Sequence, residues 1–199
     1  MASSSGLAGV VAGQSAICTV GEGGIGLHYR GYEITELANH AKFEEVAYLL
    51  LNAALPTKNQ LEDFTNKLIK YRSLPDTLTI LLEQLPATSH PMDVLRTCCS
   101  LLGSLEPETD PATQQNDIAI RLISVYTSAL LYWYHFHHSG LRITTKSNTK
   151  TIGAYFLELL HQQSPSQAQC AILNTSLILY AEHGFNASTF AARVTAATL

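Results

Sequence analysis

A histidine and an amide near the end of the sequence carry the clearest binding chemistry. The segment His183-Gly184-Phe185-Asn186 lies between two helix-forming runs, and Gly184 favours a break between them. His183 offers a side-chain hydrogen-bond donor, and Asn186 offers an amide close to the start of the next helix. Free backbone N–H groups at a helix start stabilise anions. The segment therefore indicates a site for a small anionic substrate, although a lone histidine at a helix end is more often structural.

Carboxylates that could act as a base are scarce in the same part of the chain. Between residues 118 and 199 the only ones are Glu158 and Glu182. No G-x-S-x-G sequence is present, and no aspartate follows Asp117 to complete a hydrolase triad in the usual order. The residues thus provide almost nothing for general-base catalysis and argue against a serine hydrolase.

Two further sequence patterns resemble a metal site and a dinucleotide-binding site. His135, His137 and His138 lack the carboxylate or cysteine partners of a convincing metal site, and cations are favoured at a helix C-terminus, so we predict a helix end and no metal. The segment from Gly21 to Gly26 has the letters of a dinucleotide fingerprint. Because β-prone residues follow it where a helix is required, we predict a hairpin turn.

Composition narrows the class of protein. The 199 residues are 46% hydrophobic and 14% charged, enough for one domain with a sizeable core. The net charge of −4 and the scattered basic residues exclude a nucleic-acid surface. The four cysteines show no C-x-x-C spacing and the N-terminus has no signal peptide, so we expect reduced thiols and a cytoplasmic location.

One apolar run, from Ile118 to Phe136, is about as long as a bilayer span. Arg121 interrupts it and histidines close it. A helix that is hydrophobic all round is also what the centre of a helical protein requires. We therefore predict a buried helix and no membrane association.

Hydrophobic periodicity predicts a mainly α fold with a small N-terminal β-hairpin formed by residues 16–20 and 26–30. Capping signals include Thr57 with Gln60 and Ser164 with Gln167. Helices are predicted over residues 34–54, 58–72, 75–85, 91–102, 111–139, 152–162, 165–182 and from 188 onward. The last helix has no stop signal before Leu199, which predicts that the chain is truncated.

Several separated segments have a joint order and spacing that resemble a known family. They are residues 16–21, 28–32, 43–47, 90–97, 132–134 and 180–193. From about Gly6 to the last residue, the chain resembles the bacterial 2-methylcitrate synthase branch of the citrate synthase family.

The resemblance implies a fold and a reaction. The fold is a mainly α homodimer with a large and a small domain. Residues 1–199 would form an incomplete large domain, with the small domain essentially absent. The reaction is a Claisen-type condensation of propionyl-CoA with oxaloacetate and water, giving 2-methylcitrate and CoA in propionate catabolism. The coenzyme A thioester is a substrate, and no cofactor is implied.

The resemblance also assigns residues to oxaloacetate. His183 matches the histidine that hydrogen-bonds this substrate, Asn186 is a weaker candidate in the same loop, and Arg72 is a still weaker contact. The family's later histidine loops and catalytic aspartate have no counterpart in these residues, so no catalytic set is complete. The family usually has Glu at Gly184 and Gly at Gln162, which predicts looser local turns.

Alternatives remain open at the level of the sequence. Ordinary citrate synthase, which uses acetyl-CoA, differs in its acyl substrate by one methylene, and a pocket discriminates that by roughly 1–3 kcal/mol. A truncated, non-catalytic helical module is the other possibility. We expect the 199-residue chain alone to release no CoA from propionyl-CoA and oxaloacetate.

Overall fold

Helices dominate the structure, a computed structural model that describes residues 13–19 and 26–198. Within these residues the helices are α1 Ile34–His40, α2 Phe43–Asn52, α3 Lys58–Lys70, α4 Asp76–Gln84, α5 Pro91–Leu105, α6 Pro111–Ser139, α7 Ile152–His161, α8 Gln167–Leu179 and α9 Ala187–Ala196. The strands are β1 Cys18–Thr19, β2 His28–Tyr29 and β3 Tyr32–Glu33. The predicted mainly α class with a small N-terminal β element is confirmed.

The long apolar helix α6 lies at the centre of the fold. It begins after the cap Asp110, whose side chain accepts a hydrogen bond from the Ala112 N–H, and it ends at Gly140 in the left-handed conformation. It packs against α3, α4, α5 and α7. Its side chains are buried on several faces, so the prediction of a buried helix is confirmed. None of the described helices is long and apolar enough to cross a membrane.

The N-terminal sheet is larger than the predicted hairpin. Strands β1 and β2 pair antiparallel as expected, and β3 adds to β2 through a two-residue turn. Both turn residues, Arg30 and Gly31, have positive φ angles of 50° and 89°. Residues 21–25 of the glycine segment predicted as the first turn lie outside the described residues. The sequence missed β3 because Gly31 marks the end of the β-prone run, whereas in the structure Arg30 and Gly31 form the turn between β2 and β3.

Several helix boundaries lie two or three residues from the prediction, and two larger differences have a visible cause. The expected helix over residues 34–54 is divided at Ala41 and Lys42. Asn174 of α8 stabilises this break, because its side chain accepts from the Phe43 N–H at 2.8 Å and donates to the Ala41 carbonyl at 3.2 Å. Helix α8 begins later than predicted, because Ser166 with Gln169 forms the capping box.

The last predicted helix was not expected to stop before Leu199. Instead α9 ends at Ala196, and the Ala197 N–H donates to the Arg193 carbonyl in a terminal turn.

A buried carboxylate joins the second helix to the start of α7. Glu44 is 2% exposed, and its Oε1 accepts a hydrogen bond from the Ile152 N–H at 2.7 Å. Its Oε2 has no hydrogen-bond partner among the described residues. Burial raises the pKa of Glu44 above its ordinary value of 4.5, because the charged form loses hydration.

Glu44→Gln should change how stability depends on pH. A carboxyl whose folded pKa is raised contributes stability below its unfolded pKa, near 4.5, and loses it as pH rises through the folded value. Glutamine keeps an oxygen that can accept from Ile152 and cannot ionise. The unfolding free energy of the variant minus that of the wild type should therefore increase as the pH rises from 4 to 8. Urea denaturation at each pH measures this difference. A difference that stays constant with pH would contradict this expectation.

Candidate substrate site

An open groove of about 700 Å³ lies where the loop between α8 and α9 meets the N-terminal strands. The loop contributes His183, Gly184, Phe185, Asn186 and Ala187, and the N-terminal part of the chain contributes Gly13, Ser15, Cys18 and Thr19. Two segments about 165 residues apart in sequence thus meet at one surface. The groove contains two of the three residues predicted to contact substrate.

His183 presents its imidazole to solvent at this groove. The residue is exposed, and its backbone N–H donates to Glu182 Oε1 at 3.0 Å. Its ring makes no hydrogen bond within the described residues. Gly184 follows with a φ of 66°, a conformation that glycine adopts without a Cβ clash. The sharp turn directs the chain into α9, and the imidazole remains available to a ligand.

Asn186, in the same loop, caps the N-terminus of α9. Its Oδ1 accepts a hydrogen bond from the Thr189 N–H at 2.9 Å, which caps α9. The side-chain NH₂ group is left for other partners. The N–H groups of Ala187 and Ser188, in the first turn of α9, have no acceptor within the described residues. The helix start thus places partial positive charge beside His183.

Sequence reasoning missed two residues around the groove. Arg193 of α9 stacks on the Phe185 ring, with its guanidinium carbon 4.9 Å from the ring centroid, and brings a cation close to the loop. Cys18 lies below the loop and is 9% exposed. Burial and then the Glu182 charge raise the pKa of the Cys18 thiol, while the nearby Gly184 backbone N–H opposes the rise. No local pattern could connect Cys18 with a loop so distant in sequence.

Arg72, the third predicted contact, does not line the groove. It is 2% exposed, its guanidinium carbon lies 3.9 Å from the centroid of the Tyr155 ring, and its Nη1 donates to the Ser147 carbonyl at 3.1 Å. Its Nε and Nη2 have no partner among the described residues. Burial lowers the pKa of Arg72. This geometry favours a role in holding the 140–151 loop against α7.

The three histidines of α6 point to different partners. His135 Nε2 bonds the Leu159 carbonyl at 2.9 Å, and His137 Nε2 bonds the Leu82 carbonyl at 2.9 Å. The His138 ring packs against Tyr134, with centroids 5.0 Å apart. Over the described residues, no group of three or more His, Cys, Asp or Glu side chains could hold a metal ion.

The family model "Citrate synthase, C-terminal domain" matches residues 6–199. The chain is 52% identical over 194 residues to 2-methylcitrate synthase from Shewanella oneidensis, covering 98% of this chain and 52% of that protein. It is 37% identical over 202 residues to citrate synthase from Acidithiobacillus ferridurans, again covering 98% and 52%. The chain therefore spans about half the length of the curated relatives it matches.

Solved structures agree with the sequence comparison. The crystal structure of citrate synthase from Thermotoga maritima superposes with a TM-score of 0.80 at 34% identity, covering 98% of this chain and 51% of that one. A family model that spans nearly all of the chain, together with the fold, confirms the resemblance found in the separated segments. The chain belongs to the citrate synthase family.

Proposed function

We propose that these residues belong to a 2-methylcitrate synthase, in which His183 binds oxaloacetate for condensation with propionyl-CoA. The products are 2-methylcitrate and CoA after hydrolysis of the thioester. The observation that carries the proposal is the 52% identity, over almost the whole chain, to a relative of that name. The groove supports it with an exposed imidazole beside a helix start.

The groove suits an anionic keto acid. An imidazole N–H that donates to the keto oxygen of oxaloacetate withdraws electron density from the carbonyl carbon and favours attack by a carbon nucleophile. The start of α9 and the Asn186 amide favour a carboxylate next to it. We place His183 at the keto oxygen and Asn186 at a neighbouring oxygen of the same substrate.

The base that removes the α-proton of the thioester is assigned to none of these residues. Glu158 accepts hydrogen bonds from the hydroxyls of Ser147 and Thr149, which hold the loop before α7. Glu182 accepts from the His183 N–H. We propose that residues 1–199 form part of a large domain, and that the base and most of the CoA site lie in chain outside them. A homodimer, a cytoplasmic location and the absence of a cofactor belong to the same proposal.

Citrate synthase is the second candidate, supported by 37% identity to a relative of that name. The two reactions share oxaloacetate and differ in the acyl chain. One methylene is worth roughly 1–3 kcal/mol in a pocket, so turnover of both thioesters by one enzyme is compatible with either assignment.

A chimera tests the proposal, with residues 1–199 replacing the matching part of the S. oneidensis relative. We expect oxaloacetate-dependent release of CoA from propionyl-CoA, with residues 1–199 alone as an inactive control. Because most of the CoA site would come from the relative, an unchanged ratio of kcat/KM for propionyl-CoA and acetyl-CoA is expected under either assignment. A shift of this ratio toward acetyl-CoA would favour citrate synthase, and a folded chimera without turnover would favour a non-catalytic module.

A further inference from the structure

A single buried hydroxyl connects the N-terminal sheet to the segment that precedes His183. Tyr29 of β2 is 0% exposed, and its OH lies 3.1 Å from the Ile178 carbonyl, 3.3 Å from the Leu179 carbonyl and 3.1 Å from the Glu182 carbonyl. The same oxygen accepts a hydrogen bond from the Glu182 N–H at 3.3 Å. The hydroxyl therefore bonds both the C-terminal end of α8 and the residue next to His183.

The strand beside Tyr29 lies at the same groove as the histidine. Cys18 is the cross-strand partner of Tyr29, and it lines the groove together with Gly184. The sheet therefore bonds residue 182 through Tyr29, and Cys18 lies at the same groove as residue 184. His183 lies between residues 182 and 184 and lines this groove.

The sheet is itself fixed to the helices. The guanidinium of Arg30, the residue after Tyr29, donates from Nη2 to the Leu50 carbonyl of α2 at 2.9 Å. Its backbone N–H donates to the Ile17 carbonyl at 2.8 Å. The loop that carries His183 is thereby held relative to α2 and the sheet, beyond what its covalent connection to α8 provides.

We infer that Tyr29 is a positioning residue for His183, whose hydroxyl sets where the imidazole enters the groove. The inference rests on the proposed role of His183 in binding oxaloacetate. Small displacements of a substrate-orienting group reduce its effect strongly, so a loop with an exposed histidine and a glycine turn needs such support. Tyr29 touches no substrate in this scheme and acts through the backbone of residue 182.

Tyr29→Phe tests the inference, because it keeps the buried ring and removes the hydroxyl. In the 199-residue chain we expect exchange of the Glu182 amide with solvent to become about tenfold faster, since this N–H loses its acceptor. The Kd for oxaloacetate, measured by calorimetry, should rise about five- to tenfold.

Tyr132→Phe is the matched control. Tyr132 is also buried and its hydroxyl donates to Glu83 at 2.6 Å, but it lies on α6 and does not line the groove. Its variant should leave the Kd and the Glu182 exchange rate unchanged. Equal effects of the two variants, or wild-type exchange at Glu182 and wild-type affinity in Tyr29→Phe, would overturn the inference. If the wild-type chain bound no oxaloacetate, the proposed role of His183 would fail, and the Glu182 exchange rate would decide on Tyr29 alone.

Discussion

Arg72→Ala is expected to lower the unfolding free energy of the chain by about 3 kcal/mol without weakening oxaloacetate binding to the folded protein. The substitution removes a side chain that is 2% exposed and packed over the Tyr155 ring. It also leaves the Ser147 carbonyl without its donor. Much of the loss comes from the stem of the arginine, which contributes packing as well as charge. Urea denaturation and calorimetry with oxaloacetate measure the two quantities separately.

The matched control for this experiment is Arg96→Ala. Arg96 forms an ion pair with Asp93 at 3.3 Å, but its side chain is 76% exposed. Exposed pairs contribute less than about 1 kcal/mol, so the control should be close to wild type in both measurements. If Arg72 contacts oxaloacetate, Arg72→Ala would instead raise the Kd of a protein of near-normal stability, and our structural interpretation would be wrong.

Much of the helical framework could be predicted because its signals are local. The capping box of Thr57 with Gln60 and the Asp110-Pro111 start of α6 place two helix beginnings correctly. Periodicity and caps depend on residues within one or two turns. The presence of these helices can therefore be predicted from residues within each helix and next to its ends.

The errors occur where distant residues decide the local structure. The break between α1 and α2 depends on Asn174, which lies more than 130 residues later and bonds both sides of the break. Ser164 and Ser166 offer the same capping spacing to Gln167 and Gln169, so the sequence alone could not choose between them. Gln162, which ends α7, has a φ of 52°, a left-handed conformation that residues other than glycine adopt rarely.

The sequence singled out two residues that line the candidate groove and missed the residues that support them. His183 and Asn186 stood out as polar side chains at a helix break, and the structure places both at one groove. Tyr29 and Cys18 gave no comparable signal, because their contacts with the loop span about 150 residues or more. Arg72 was a candidate only by resemblance, and its depth below the surface became visible only in the packed structure.

His183→Ala should affect activity and leave stability unchanged, because the His183 side chain is exposed. In the chimera with the S. oneidensis relative, we expect kcat/KM for oxaloacetate to fall about ten- to hundredfold, because one polar or charge-assisted hydrogen bond of roughly 1.5–3 kcal/mol is lost. The melting temperature should stay within about a degree or two, since the imidazole is exposed and bonds no described residue.

His137→Ala gives the opposite pattern and is the control. His137 bonds the Leu82 carbonyl at 2.9 Å and packs on Trp133 with ring centroids 5.9 Å apart, so its loss should lower the melting temperature. Its oxaloacetate kinetics should stay near wild type. If His183→Ala behaved like His137→Ala, with reduced stability and normal kinetics, the imidazole at the groove would be structural. We expect a selective kinetic loss because the His183 ring bonds none of the described residues and, in this proposal, bonds only oxaloacetate.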